Sequence, residues 1–423
     1  MFTFAVAKSK KSKQVGKSTH FGGQPLLRQI INFLDKDKVL RLSRKHGGER
    51  YVKRFDGWQH LVVMLYAVIM RFDSLREIVI ATLAEARKLA HVGVTVMPRR
   101  STLSDANARR PEGFFEAVYS DLYATHRKKL LSDSRSGGAP KWMEKLQIID
   151  STTITLFSNI IFKGAGRNPK TGKKKGGIKV HKVIRASEGV ASDIKFTSAA
   201  THDSFMLAPA SFERGDLLAI DRAYIDYGKF EELTRRGVVY VTKMKSGLSY
   251  EVTSDVMFMD KTKGMTMRIR HVTFTKKEKD GSVIVHQARI VTYADEEKKK
   301  CISLLTNDFD MSPEDIIAIY RQRWEIELLF KQIKQNFPLH FFYGESANAI
   351  KIQIWVTLIA NLLLTIMQRS LNKRWSFSNL ATTVRITLMY YVDFHSFFEN
   401  PERDWERMLQ EAAEPPPQLE LEF

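Results

Sequence analysis

The sequence predicts an α/β protein: a mixed sheet domain carrying a β-strand insertion and preceded by a basic helical region. Three observations carry this reading. Apolar residues first recur at helical spacing, as in Trp58, Leu61, Val62, Leu65 and Ile69. After the stretch 132–140, with Gly137 and Gly138, the pattern changes to short apolar runs typical of strands. Further on, strand-like segments at 267–275 and 283–293 flank the turn dipeptide Asp280-Gly281.

Taken in order, residues 1–22 form a lysine-rich arm expected to be disordered, and 23–135 a helical unit. Asp56 is placed to cap the first strong helix, and a second runs from near Asp73 to about His91. Pro98 then breaks the chain, and Arg99, Arg100, Arg109 and Arg110 surround the next segment. Short helices with a basic junction suit a helix-turn-helix-like DNA reader, which makes Arg99, Arg100 and Arg109 candidate DNA contacts. A plain helical bundle with a basic surface fits the same residues. Strands are expected at 146–156, 178–185, 193–198, 217–221 and 238–242, with helical stretches around 205–212 and 227–236. Residues 142–244 and 306–370 then compose the sheet domain, 245–305 the β insertion, and 371–423 a C-terminal helical segment and tail.

A chain of 423 residues is long enough for two or three folded units. Its formal net charge of +20 favours a polyanionic partner, nucleic acid before membrane. The most apolar stretch, 352–368, contains Gln353, Thr357, Asn361 and Thr365 and reads as a buried core helix, so no membrane partner is expected. The N-terminus has its basic residues after its apolar ones, the reverse of a signal peptide. The single cysteine, Cys301, supports neither an intrachain disulfide nor a cysteine-rich zinc site, and cytoplasmic residence follows.

The densest chemistry lies after Ser312, a good N-cap followed by Pro313, in a helix expected to continue to Pro338. Arg323, Glu327 and Lys334 fall at roughly 300°, 340° and 320° around the axis from Tyr320, and so share one stripe. Ile319, Ile326, Phe330 and Ile333 form the neighbouring apolar stripe. Glu325 points to about the opposite side, which selects Glu327 as the carboxylate of interest. Asp150 and Asp221 each close an apolar run, and Asp226 is expected to start the next helix. Three carboxylates are the donors that Mg²⁺, or Mn²⁺, prefers. Such a trio could hold two ions about 3.5–4 Å apart around a phosphodiester. Lys173, Lys174 and Lys175 sit in a Gly- and Lys-rich loop that fails the P-loop spacing and is suited to DNA phosphates.

Tyr320, Arg323, Glu327 and Lys334 also match the Y-(2)-R-(3)-E-(6)-K signature, and here the chain resembles the insertion-sequence-four family of bacterial DDE transposases. The segments IIDSTTI around Asp150, IDRAYIDY around Asp221, STLSDANARR and ESANAIKIQIW are similar to that family as well. The resemblance implies a ribonuclease H-like core in which Asp150, Asp221 and Glu327 hold the metal ions. It implies cut-and-paste transposition on terminal inverted-repeat DNA and target DNA by a homodimer, with Tyr320, Arg323 and Lys334 gripping the DNA end. A hairpin intermediate with a flipped base stacked on tryptophan is part of the family's pattern, but residues 243–310 contain no tryptophan. Tyr250, Phe258, Phe274 or Tyr293 are the aromatic substitutes available. A nuclease that does not join DNA, and a catalytically silent DNA-binding regulator, are the alternative readings.

Overall fold

The computed structural model describes residues 24–131, 140–155, 177–198, 207–260, 265–278, 280–295, 300–339 and 341–403, together with 406, 409 and 410. Lys173, Lys174, Lys175 and the candidate linker 132–139 lie outside them.

The N-terminal part is helical: α1 (Leu26–Ile31), α2 (Lys36–Lys45), α3 (Gly57–Met70), α4 (Leu75–Ala84), α5 (Ala86–Ala90), α6 (Arg100–Arg109) and α7 (Glu112–Leu131). Polar side chains start α2, α3 and α4 by accepting orphan N–H groups. Asp56 takes the Gln59 N–H at 2.8 Å, and Ser74 takes that of Glu77 at 3.2 Å. The helix expected from near Asp73 to about His91 divides at Glu85, whose φ of −104° and ψ of 19° leave helical geometry.

The sheet strands follow: β1 (Leu146–Thr155), β2 (Gly177–Arg185), β3 (Ala191–Ser198), β4 (Leu217–Ile220), then α8 (Tyr227–Arg235) and β5 (Val239–Lys243). Where a helix was expected around 205–212, the described part forms only a 3-10 turn at Pro209–Ser211, beginning at a proline. The insertion supplies β6 (Glu251–Asp260), β7 (Met265–Lys277) and β8 (Val283–Asp295), and β9 (Lys300–Thr306) returns to the core. Gly281 takes the positive φ (+85°) that the β7–β8 turn requires.

All nine strands of the described residues join one sheet in the order β3-β2-β1-β4-β5-β9-β8-β7-β6. β1, β4 and β5 are mutually parallel, while on the other side of β1 lie β2, antiparallel to β1, and β3, antiparallel to β2. That is the ribonuclease H-like arrangement. The strands of the insertion continue the sheet, because β9 pairs with β5 along one side and β8 along the other.

Alternate residues of β1 feed two cores. Ile148 and Ile154 pack toward the long helices, whereas Ile149 joins Phe230 and Leu233 of α8 on the reverse face. The chain closes with α9 (Pro313–Gln322), α10 (Trp324–Asn336), α11 (Ala347–Ser370), α12 (Phe377–Thr387) and α13 (Phe394–Glu399). α11 is long and apolar enough to cross a membrane, yet it is buried against α3, α7 and α12. α1 is tied to the segment after α12: Leu26 and Leu27 donate backbone hydrogen bonds to Tyr390 and Leu388 at 2.9 and 2.8 Å.

Candidate active site

Register builds the acidic cluster. Ile149 of β1 pairs with Ile220 of β4 in parallel, so the next residues, Asp150 and Asp221, lie side by side on neighbouring strands. Asp150 stands inside β1, not at its end, because the strand continues through Ser151–Thr155. Asp221 follows the last residue of β4 and accepts the Ala223 N–H at 3.0 Å, fixing its carboxylate at the strand's exit. Asp226 is one turn further on, and caps α8 through the N–H groups of Gly228 and Lys229.

Glu327 comes from a helix pair. The single helix expected between Ser312 and Pro338 is broken at Arg323 into α9 and α10. No proline or glycine causes the break. Around it, Arg323 N–H bonds the Tyr320 carbonyl at 3.1 Å and Ile326 N–H the Arg323 carbonyl at 3.4 Å, a local 3-10 tightening. The start of α9 is as expected, with Ser312 accepting from the Asp315 N–H at 3.1 Å. Trp142 anchors this start by donating to the Asp315 carboxylate at 2.9 Å.

The break sets Arg323 between two acids. Its guanidinium donates to Glu327 Oε1 at 2.6 Å and to Asp150 Oδ2 at 3.3 Å, and lies 5.8 Å from the centre of the Tyr320 ring. Arg323 Nε is buried with no hydrogen-bond partner among the described residues. Burial pushes the Asp150 carboxyl up to about 6, the Asp221 and Glu327 charges adding to the rise, against opposing contributions from the Ser151 N–H and Arg323. Burial likewise raises the Tyr320 phenol.

Lys334, two turns beyond Glu327, donates to Thr152 Oγ1 at 2.7 Å and to the Thr153 carbonyl at 3.3 Å. Asp150, Thr152, Glu327 and Lys334 line an open cleft of about 660 Å³. Glu325 lines a different cavity with Gln322, Leu329 and Arg369, so the two glutamates face apart as their helical offsets require.

The remaining candidates are scattered. Arg99 and Arg100 are exposed at the start of α6, and Arg109 near its end is paired with Asp105 at 2.9 Å. Among the described residues no hydrogen bond or ion pair links these three to the acids. Phe274 and Tyr293 are core residues, 0% and 3% exposed, and so offer no face to a base. Tyr250 packs on Phe274 and accepts a hydrogen bond from Arg270 at 2.9 Å, while the side chain of Phe258 lies outside the described residues. Trp324, beside the Arg323 break and outside the insertion, is 56% exposed, which its place in an amphipathic helix does not reveal from sequence. Lys182 also escaped it. This lysine pairs with Asp150 across the β1–β2 ladder, and only the register reveals that proximity.

Oxygen donors on adjacent strands and a helix suit a hard divalent cation, and the guanidinium between Asp150 and Glu327 shows that the cluster already attracts positive charge. Among the described residues, no three acidic, histidine or cysteine side chains are close enough to close around one ion, and Arg323 sits between Asp150 and Glu327.

Comparison with known proteins is consistent with this geometry. A family profile described as a transposase DDE domain matches residues 141–363, a span holding all three acids, and a domain of unknown function (DUF4372) matches 22–95. A protein of Sinorhizobium fredii described as transposase y4zB is 29% identical over 273 residues, covering 64% of this chain and 72% of that one. A Geobacillus stearothermophilus protein described as a transposase for insertion sequence element IS5377 is 22% identical, covering 64% and 67%. A Synechocystis protein described as a transposase for element IS4SA is 26% identical, covering 63% and 71%. Because one profile accounts for more than half of the chain, from β1 through most of α11, the protein belongs to the DDE transposase family.

Proposed function

We propose that the chain is the transposase of a bacterial insertion sequence, binding terminal inverted repeats and moving the element by cutting DNA and joining the freed 3′-end to target DNA. The observation that carries this is Asp150 and Glu327, bridged by Arg323 and sharing one cleft with Lys334, with Asp221 on the strand next to Asp150. Two Mg²⁺ or Mn²⁺ ions, when bound there, supply activation of the attacking oxygen and charge neutralisation at the leaving one.

The side chains supply positioning. Once Arg323 turns from the acids, its fork and orphaned Nε can grip a phosphate bidentately, and Lys334 adds a mobile point charge across the cleft. Tyr320 holds the guanidinium plane against its ring. Arg99, Arg100 and Arg109, with Lys173, Lys174 and Lys175, are assigned to sequence-independent contacts along the repeat. Pairing of two ends by a homodimer and excision through a hairpin belong to the same proposal. Exposed Trp324 is the better-placed aromatic for stacking than buried Phe274 or Tyr293.

The test is incubation with a duplex carrying the terminal repeat and flanking DNA in Mg²⁺, with nicked, hairpin and joined products resolved on one gel. Joined product from a precut 3′-end supports the transposase reading. Cleavage without joining would leave a nuclease instead.

A further inference from the structure

Lys182 presents an unusual arrangement for a lysine. It is 3% exposed, and among the described residues its side chain has no hydrogen bond or ion pair. Its ammonium instead lies 4.8 Å from the centre of the Phe330 ring. A buried cation without an acidic or carbonyl partner is costly, and an apolar residue of similar volume would serve the fold better. The β1–β2 register sets Lys182 directly across from Asp150, so both side chains leave the same face of the sheet.

The surroundings point to a ligand. Lys182 borders a small cavity of about 10 Å³ with Thr152, Phe330, Lys334 and Thr357. The Thr357 hydroxyl is buried there with no partner among the described residues. Thr152, Phe330 and Lys334 also line the open cleft of Asp150 and Glu327. Lys334, held to Thr152 and Thr153, therefore forms the wall between the buried ammonium and the cleft.

We infer that Lys182 is a further DNA-phosphate contact of the active-site cleft, reached when Lys334 leaves Thr152 and Thr153 for the backbone of bound DNA. The two like charges stand close together, and a phosphate in the neighbouring open cleft, with Lys334 turned toward it, brings counter-charge to both. This rests on the cleft being the place where DNA binds.

The experiment compares the full-length protein with Lys182→Met and Lys334→Met variants. Affinity for a labelled duplex ending in the terminal repeat is measured across a salt series, and thermal midpoints are recorded without DNA. Lys182→Met is expected to melt at or above the parent temperature, yet to bind more weakly with a log K against log salt slope shallower by about 0.9, the loss of one phosphate contact. Lys182→Arg should keep the parent slope. A folded Lys182→Met with unchanged affinity and slope, alongside a weakened Lys334→Met, overturns the inference and leaves the DNA-binding cleft standing. No change in either variant removes the cleft itself as the DNA site. If Lys182→Met does not fold, Lys182→Gln carries the same comparison.

Discussion

Arg323 and Glu327 form the closest charged contact of the cleft, 2.6 Å between guanidinium and carboxylate, while the same guanidinium reaches Asp150 at 3.3 Å. The arginine thus holds together two acids that would otherwise repel, in the place a metal ion is proposed to take. In the proposed reading it competes with the ion and, once displaced, grips phosphate. Replacing it with methionine should tighten Mn²⁺ binding to the DNA-free protein by about tenfold, or ~1.4 kcal/mol, while lowering DNA cleavage. Calorimetric titration checks the first part, and weaker or unchanged ion binding would contradict the competition.

Asp150 gives the protein a pH signature. Its carboxyl is raised from 3.8 to about 6, so between those values the folded state holds a proton that the unfolded state has lost. Its favourable contribution is complete below about pH 3.8 and disappears as pH rises through about 6. Asp150→Asn should therefore flatten this part of the stability curve and be more stable than the parent at pH 7 by on the order of 2 kcal/mol. Added Mg²⁺ should stabilise the parent alone. Urea melts at several pH values, with and without the ion, read both effects.

The two glutamates of α10 separate cleanly. Glu327→Gln should lower cleavage by more than about 100-fold, the upper end of what losing a partner behind a metal ligand costs. Glu325→Gln, which faces another cavity, should retain most of the activity. Equal losses in a cleavage assay would refute the assignment.

The approach to α9 is fixed from the insertion side. Arg289 of β8, 6% exposed, donates to the carbonyls of Phe309 and Met311 at 3.2 and 2.6 Å, just before the Ser312 cap. Arg289→Met should cost about 1.5–3 kcal/mol, since it removes a charged donor shared by two part-buried hydrogen bonds. Chemical denaturation measures this, and a loss below half of that range would show that the linker holds itself.

The sequence made some of this legible. Helical offsets alone separate Glu327 from Glu325, and the end of an apolar run marks Asp221, because both are local properties of one element. The Asp280-Gly281 turn is legible for the same reason. The break at Arg323 is not, since its φ of −53° and ψ of −27° stay helical and no proline or glycine marks it. Lys182 falls in the strand expected at 178–185, just after the lysine-rich loop, and its place opposite Asp150 depends on strand register. Phe274 and Tyr293 show the converse limit: alternation reveals a strand, but not which of its faces the core will cover.

The most direct test of the account is a divalent-ion cleavage and joining assay on terminal-repeat DNA with Asp150→Asn, Asp221→Asn and Glu327→Gln compared with the parent chain. The account predicts cleavage and joined product from the parent, neither from any of the three variants, and end binding largely intact in all. Normal cleavage by any one variant would contradict the shared acidic centre.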